Sequence, residues 1–359
     1  MTEDFKKAVA IVGASVAGIG VVNADPIKNF EVSPYGQINL GYMHGDTGLG
    51  SEGYIVDNAN SASRVGARLR GDLDSQDIVV GAHVELGYVQ NPSSAVSPEN
   101  KSISGEFKDR HLNVFLEGAA GRFSLGQGDG AANGNIEADL SGTNVVSFAN
   151  LPLVGGGLPF VNKETTEEIA LRSSVSDQDF ESRYSRLRYD APSLGPVDFS
   201  VSQGVKSNSD VTELGGRVSL PLAGRVVARL GFSTKDVGEA SGDVETIGGS
   251  ISWLHTSGFN LTGAYSNRTD DNVVSPDSEF YWAKVGYRFN EEHAVDAHYA
   301  ETKDLRLKGD QAETVGVGYV YEPAQWLDIY AGYRRHSLSG VGAEYSNVNV
   351  AMLGSRIKF

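Results

Sequence analysis

From Ser33 to Phe359 the chain repeats one unit: about ten residues in which apolar and polar side chains alternate, then a turn or polar loop, then another such segment. Period-two alternation marks a β-strand, because successive side chains point to opposite faces of a sheet. Arg64, Arg68 and Arg70 oppose Val65, Ala67 and Leu69, so one strand has an aliphatic face and a face of guanidinium groups. Thr314, Gly316 and Gly318 likewise oppose Val315, Val317, Tyr319 and Tyr321, and Lys284, Gly286 and Arg288 oppose Tyr281, Ala283, Val285, Tyr287 and Phe289. The two faces of such a sheet must meet different solvents.

A soluble sandwich also alternates, so the choice rests on three further features. Short turns at residues 73–76, 119–120, 221–224, 256–258 and 290–292 interleave with longer polar loops, the asymmetry of an outer-membrane barrel. Aromatic residues gather near segment ends, as with Tyr287, Phe289, Tyr319, Tyr321 and Trp326, which suits rings placed at two membrane interfaces. The chain also stops inside a strand, with Ala351, Leu353, Ile357 and Phe359 on one face and Gly354, Arg356 and Lys358 on the other, as a barrel that closes on its last strand requires. About sixteen segments can be counted, from residues 35–42 to 347–359, with one long gap between 122–127 and 183–190. The expected fold is all-β, a transmembrane antiparallel barrel, and one of sixteen strands leaves an aqueous channel where one of eight is filled by its own side chains.

Bulk composition hides this. With 40% hydrophobic residues and a mean hydropathy of -0.24, the 359 residues look like those of a soluble protein. The one long apolar run, residues 8–22, is shorter than the roughly 20 residues a spanning helix needs. Lys6 and Lys7 before it and Val22, Asn23 and Ala24 at its end read as a secretory signal, residues 1–24, cleaved after Ala24. Residues 25–359 then form one domain. The chain has no cysteine, so an exported protein of this size draws its stability from some other source, which a closed hydrogen-bonded barrel supplies. A net charge of -16 makes nucleic acid a poor partner and points to a preference for cations.

No catalytic constellation stands out. His44, His83, His111, His255, His293, His298 and His336 are scattered, with no metalloprotease spacing and no visible zinc set. His111 and Asn113 share a strand face but lack a serine beside them. The glycine-rich GQGDG at residues 126–130 lacks the full spacing of a phosphate loop and precedes no helix. Neither an enzyme, a cofactor nor a bound metal is expected.

Several stretches resemble the Gram-negative general porins, the trimeric sixteen-stranded outer-membrane family. SPYGQINL from Ser33 resembles their first strand, and SRVG from Ser63 with the following RLRG from Arg68 resembles their second. DRHLNVFLEG from Asp109 and GRFSLGQ from Gly121 resemble the hairpin that leads into the family's constriction loop, and SRYSRLRYDAP from Ser182 resembles the strand that leaves it. Gln127 departs from the arginine of many relatives, and the segment 128–181 is longer than usual. The resemblance implies a homotrimer that passes small hydrophilic solutes and ions by diffusion, with residues 128–181 folded into the barrel after strand five. Asp129, Glu137 and Asp139 would then face a wall bearing Arg64, Arg68, Arg70, Arg186 and Arg188 and set a transverse field. The closing Lys358 and Phe359 after an alternating strand make Phe359 the expected assembly signal for the β-barrel assembly machinery, and acidic outer loops make lipopolysaccharide, beside outer-membrane lipid, an expected partner through divalent ions. A substrate-specific channel is the first alternative, and a plugged structural or adhesive barrel or a barrel hydrolase the next; conductance separates them.

Overall fold

The structure, a computed structural model, describes residues 27–73, 77–238, 242–272 and 275–359. The signal expected at residues 1–24 lies outside these, as does most of the turn at 73–76.

Sixteen long antiparallel strands make the wall. They are β1 (Ile27–Asp46), β2 (Arg64–Leu73), β3 (Ile78–Val89), β4 (Glu106–Gly118), β5 (Gly121–Asp129), β6 (Arg183–Asp190), β7 (Val197–Lys206) and β8 (Ser209–Leu220). Then follow β9 (Gly224–Asp236), β10 (Asp243–His255), β11 (Phe259–Asp270), β12 (Ser278–Phe289), β13 (His293–Lys303), β14 (Gln311–Ala324), β15 (Leu327–Gly340) and β16 (Val348–Lys358). Each pairs with its sequence neighbours, and β16 pairs with β1 from Gln37↔Lys358 to Asp46↔Asn349, which closes the barrel. Closure matters because hydrocarbon cannot satisfy an open edge of N–H and C=O groups. The seam is finished by Gly36 N donating to Phe359 O at 2.7 Å and Phe359 N to Gly36 O at 3.0 Å. Glycine at residue 36 leaves room for the Phe359 ring against the seam, since a Cβ would stand 2.6 Å from that ring and make it shift.

The alternation read from the sequence becomes an outside and an inside. Val65, Leu112, Val114, Leu116, Leu125, Leu187, Leu214, Leu230, Val315, Val317, Leu353 and Phe359 are exposed on the outer face. Their neighbours, such as Asn113, Ser124, Arg186, Ser202, Glu213, Lys284 and Arg334, are buried on the inner one. One end of the barrel carries the short turns, the start of β1 and the end of β16. The other carries the longer connections, except that β7 and β8 join through Ser207 and Asn208 alone, both with positive φ (51° and 67°), as a two-residue hairpin turn demands.

Short strands outside the sixteen of the wall were not foreseen. Ser51–Asp57 folds back on β1 from Asp46↔Ser51 to Leu40↔Asp57, above the start of β2. Residues 58–63 between them step inward, where Gln37 Nε2 and Asn39 Nδ2 donate to Ser61 O at 2.6 and 2.9 Å. Within the long loop, residues 130–182, Pro159–Val161 pairs with Glu168–Ala170.

The apolar core lies inside the barrel. It is made by that loop (Ile136, Val145, Val146, Leu151, Val154, Leu158, Phe160, Leu171, Val175 and Phe180) against inner-face residues of β1 and β12–β16, including Met43, Phe280, Trp282, Val320, Tyr330, Val348, Val350 and Met352. Each such Leu or Phe contributes on the order of 1.5–3 kcal/mol on burial, so the loop is anchored rather than loosely draped.

Candidate functional site

Strand register places the inner side chains of β2–β6 in rows. One row runs Arg68, His83, Asn113, Gly126, Arg186. The next, toward the turn end, runs Arg70, Gly81, Phe115, Ser124, Arg188. Neither contains an acid. Carboxylates stand above them at Glu85 and below them at Asp72, Glu117 and Asp190, each brought there by the two-residue period of its strand.

These rows border a lumen cavity of about 560 Å³, room for many waters at roughly 30 Å³ each. Seven arginines line it (Arg64, Arg68, Arg110, Arg122, Arg183, Arg186 and Arg188) against three carboxylates (Glu85, Asp129 and Asp190), a surplus of four positive charges. Glu85 gathers Arg110, Arg64 at 3.4 Å and the Tyr35 hydroxyl at 2.6 Å. Asp129 takes Arg183 at 3.4 Å. Arg188 bonds Asp190 at 2.7 Å and donates to Gly130 O at 2.7 Å. Arg186 donates only to main-chain carbonyls, Asp129 O at 3.0 Å and Gly126 O at 2.9 Å. Arg68 lies 4.6 Å over the Tyr35 ring, and the His83 and His111 rings stack at 4.2 Å. Among the described residues no carboxylate lies within ion-pair distance of Arg68, Arg70 or Arg186. Arg217 and Arg229, directly opposed on β8 and β9, extend this basic face, with Arg229 donating to Gly134 O at 2.8 Å.

The other half of the lumen is occupied by the loop. Lys284 of β12 donates to Asp139 at 2.7 Å, to Thr143 Oγ1 at 3.0 Å and to Ser147 O at 2.5 Å, and both charged side chains are fully buried. Arg334 of β15 donates to Leu151 O and Val146 O at 3.0 and 2.9 Å. Asn58, in the inward step, donates to Val145 O at 2.7 Å, and Ser250 and Ser252 accept from Ala138 N and Leu140 N at 2.9 Å each. Neutral carbonyls and hydroxyls thus absorb most of the wall's donors and acceptors where the loop sits, as burial demands.

Of the acids expected to confront the arginine wall, only Asp129, the last residue of β5, lies beside it. Asp139 is turned into the wall of β12 by Lys284. Glu137 is buried with Asp177 and Asp179 in a three-carboxyl cluster near Arg229. Asp179 accepts Gly134 N at 2.7 Å and Ile136 N at 3.2 Å there. Burial, then the neighbouring Asp177 charge, pushes Asp179 up to about 8. Burial also pushes Asp177 up to about 6 and, with the charges of Asp179 and Asp177, holds Glu137 well above the usual carboxylate range. Glu164, Glu167 and Glu168 are exposed at the small hairpin of the loop. The correction has one cause: a loop carboxylate inside a barrel is drawn to the nearest cation it can reach dry, and the wall behind the loop holds its own.

Of the expected arginines, Arg64, Arg68, Arg186 and Arg188 border one cavity, and Arg70 sits on the same inner face in the row of Arg188, outside the residues that line it. Sequence reading did not single out Glu85, Arg110, Arg122, Arg183, Lys284 or Arg334. The inner-face alternation of their strands carried the signal, and the apolar run 145–153 inside the loop foretold a buried partner surface.

Compared with known proteins, the chain matches the Gram-negative porin family over residues 8–340. Its fold resembles an anion-selective porin from Comamonas acidovorans, at 16% identity and TM-score 0.63 over 92% of this chain and all of the other. It resembles Salmonella typhi OmpF in complex with daunomycin, at 14% identity and TM-score 0.62 over 91% and 97%. OmpT of Vibrio cholerae in its trimer form matches at 14% identity and TM-score 0.60 over 92% and 100%. Comparison with the curated proteins finds no match.

Proposed function

The chain belongs to the Gram-negative porin family, an outer-membrane channel by fold and family, and from that premise we propose that it passes small hydrophilic solutes and favours anions. The observation that carries the sign is the cavity's surplus of four positive charges. A net charge of -16 suggests the opposite preference, yet ions feel the lining of the narrow, partly dehydrated passage more than acids spread over the outside. Residues 128–181 act in this reading as the constriction, by filling the β12–β16 side and leaving solutes the arginine side. Arg64, Arg68, Arg70, Arg186 and Arg188 line the path with Asp129, while Glu137 and Asp139 hold the loop. That a solved structure of like fold is an anion-selective porin agrees with this reading.

A homotrimer is part of the proposal. Apart from Tyr88, Phe107 and Phe123 near the strand ends, the outer face of β2–β5 is aliphatic (Val65, Ala67, Leu69, Val80, Ala82, Val84, Leu112, Val114, Leu116, Leu125), whereas Tyr265, Tyr281, Tyr287, Tyr299, Tyr319 and Tyr333 ring β11–β15. Interfacial aromatics belong where a wall meets lipid, so the smooth aliphatic face suits a neighbouring subunit. Export by a signal cleaved after Ala24 belongs to the same reading. So does recognition by the barrel assembly machinery of Phe359, which stands outward and 68% exposed, and so do divalent-ion bridges from Glu164, Glu167 and Glu168 to lipopolysaccharide. No catalytic step is part of it.

Planar-bilayer recording tests this. Stepwise, steady conductance and a reversal potential of chloride sign in a potassium chloride gradient are expected. Silence overturns the channel, and a potassium sign overturns the role given to the arginine lining.

A further inference from the structure

We propose that the arginine-lined cavity is a binding site for small dianions carrying carboxylate or phosphate groups, which dwell there during passage. This rests on the reading of the lumen as an anion-preferring channel and adds a solute class and a place to it. A pore that only favours anions needs its positive surplus anywhere along the wall. Here the surplus is concentrated and its geometry is set in advance.

Arg186 is 7% exposed and is aimed by two main-chain carbonyls, those of Asp129 and Gly126, and its Nη2 has no partner among the described residues. Arg188 differs, being held by Gly130 O and also paired with the Asp190 carboxylate at 2.7 Å, so the unpaired charge of these two is that of Arg186. Carbonyls fix a guanidinium's direction without cancelling its charge, which an acid would do. In the row of Arg186, at the far edge of the same cavity, Arg68 is supported by the Tyr35 ring instead of a carboxylate. The residues between them, His83, Asn113 and Gly126, bring no acid, and Gly126 brings no side chain to fill the space. The acids that do line the cavity lie outside these two rows.

Coulomb attraction to a fixed surplus doubles with the charge of the ion, and a guanidinium fork replaces water on a carboxylate or phosphate edge with paired, charge-assisted hydrogen bonds. A monovalent halide gains neither the doubled charge nor the fork. The site remains open to water on its lumen side, so binding stays weak enough for release, as conduction requires.

The test is block of chloride current. The purified protein is recorded in potassium chloride while succinate, and in separate runs inorganic phosphate, is titrated at a pH where each is a dianion. Half-block at roughly millimolar concentration is expected, the range of a weak two-point contact. Arg68→Gln combined with Arg186→Gln should raise the half-blocking concentration by about tenfold, the scale of one lost charged contact. Arg335→Gln, which removes the same charge from the outer face, should leave it unchanged. Arg68→Gln alone, an exposed side chain bound to no acid, should give part of the rise without burdening the fold. Block by only one of the two ions supports the site and assigns its chemistry. A steady chloride-selective conductance that neither ion blocks, or a block equal in the variants, overturns the site and leaves the channel reading standing. Absence of conductance, or a potassium-sign reversal potential, overturns the channel reading beneath it.

Discussion

The two halves of the lumen use cations in opposite ways. On the β12–β16 side, Lys284 and Arg334 are dry, and both of these charges are spent on the loop: an acid for the lysine, main-chain carbonyls for the arginine. On the β2–β6 side, seven arginines share three carboxylates around open space, and the rows of Arg68 and Arg70 hold no acid. The same inward-pointing residue type is therefore structural where a protein surface covers it and available to solutes where water does. Exposure, rather than charge, separates the two.

The largest effect that can break this comparison lies in the dry half. Lys284→Met strands the buried Asp139 carboxylate, and a loss of about 3–5 kcal/mol in barrel stability is expected in thermal unfolding in detergent. Adding Asp139→Leu should restore most of it, since two apolar groups leave no orphan charge; no recovery would mean that the pair does not act as a unit.

In the wet half the corresponding change should leave stability almost alone and move selectivity. Arg186→Gln with Arg188→Gln is expected to lower the chloride-to-potassium permeability ratio by roughly fivefold, about 1 kcal/mol of ion preference. An unchanged reversal potential would mean that the current avoids this wall.

A third, smaller effect concerns pH. The carboxyl of Asp179 is raised by burial from 3.8 to about 8, so the folded loop binds a proton more tightly than the unfolded chain does. The cluster's contribution is then fully present at low pH and falls as pH rises between those two values, the reverse of a salt-bridged acid. Loop anchoring, read as protease sensitivity within residues 130–182, should weaken toward pH 8. Asp177→Asn, which removes the neighbouring charge that helps raise Asp179, should flatten that profile, and an acid-induced loosening would contradict the sign.

The smallest effect is expected at the exposed hairpin. Glu167→Gln and Glu168→Gln, far from the arginine rows and fully in water, should leave conductance and reversal potential within error. A clear shift would place loop-end acids in the ion path and blur the division between the halves.

Much of this was legible in the chain. The strands from β2 to β16 follow from alternation and turn residues, and the wall arginines follow from the inner phase of β2 and β6. Ser51–Asp57 escaped notice because Gly53 and the neighbouring polar residues blur its alternation. The acids of the long loop could not be sorted by reading. Asp139 and Glu168 look alike there, yet one is buried against Lys284, 145 residues away in sequence, and the other is exposed.

By itself, the sequence determined that the sheet has two unlike faces, that its strands are even in number, and that the last one ends where the first must meet it. Those properties are local, since a side chain's face depends only on its position in the strand. Which inner charges would be neutralised, and so which half of the lumen stays open, was decided by the tertiary structure alone. That outcome depends on where a 53-residue loop comes to rest across the barrel, and a period of two carries no information about the far wall.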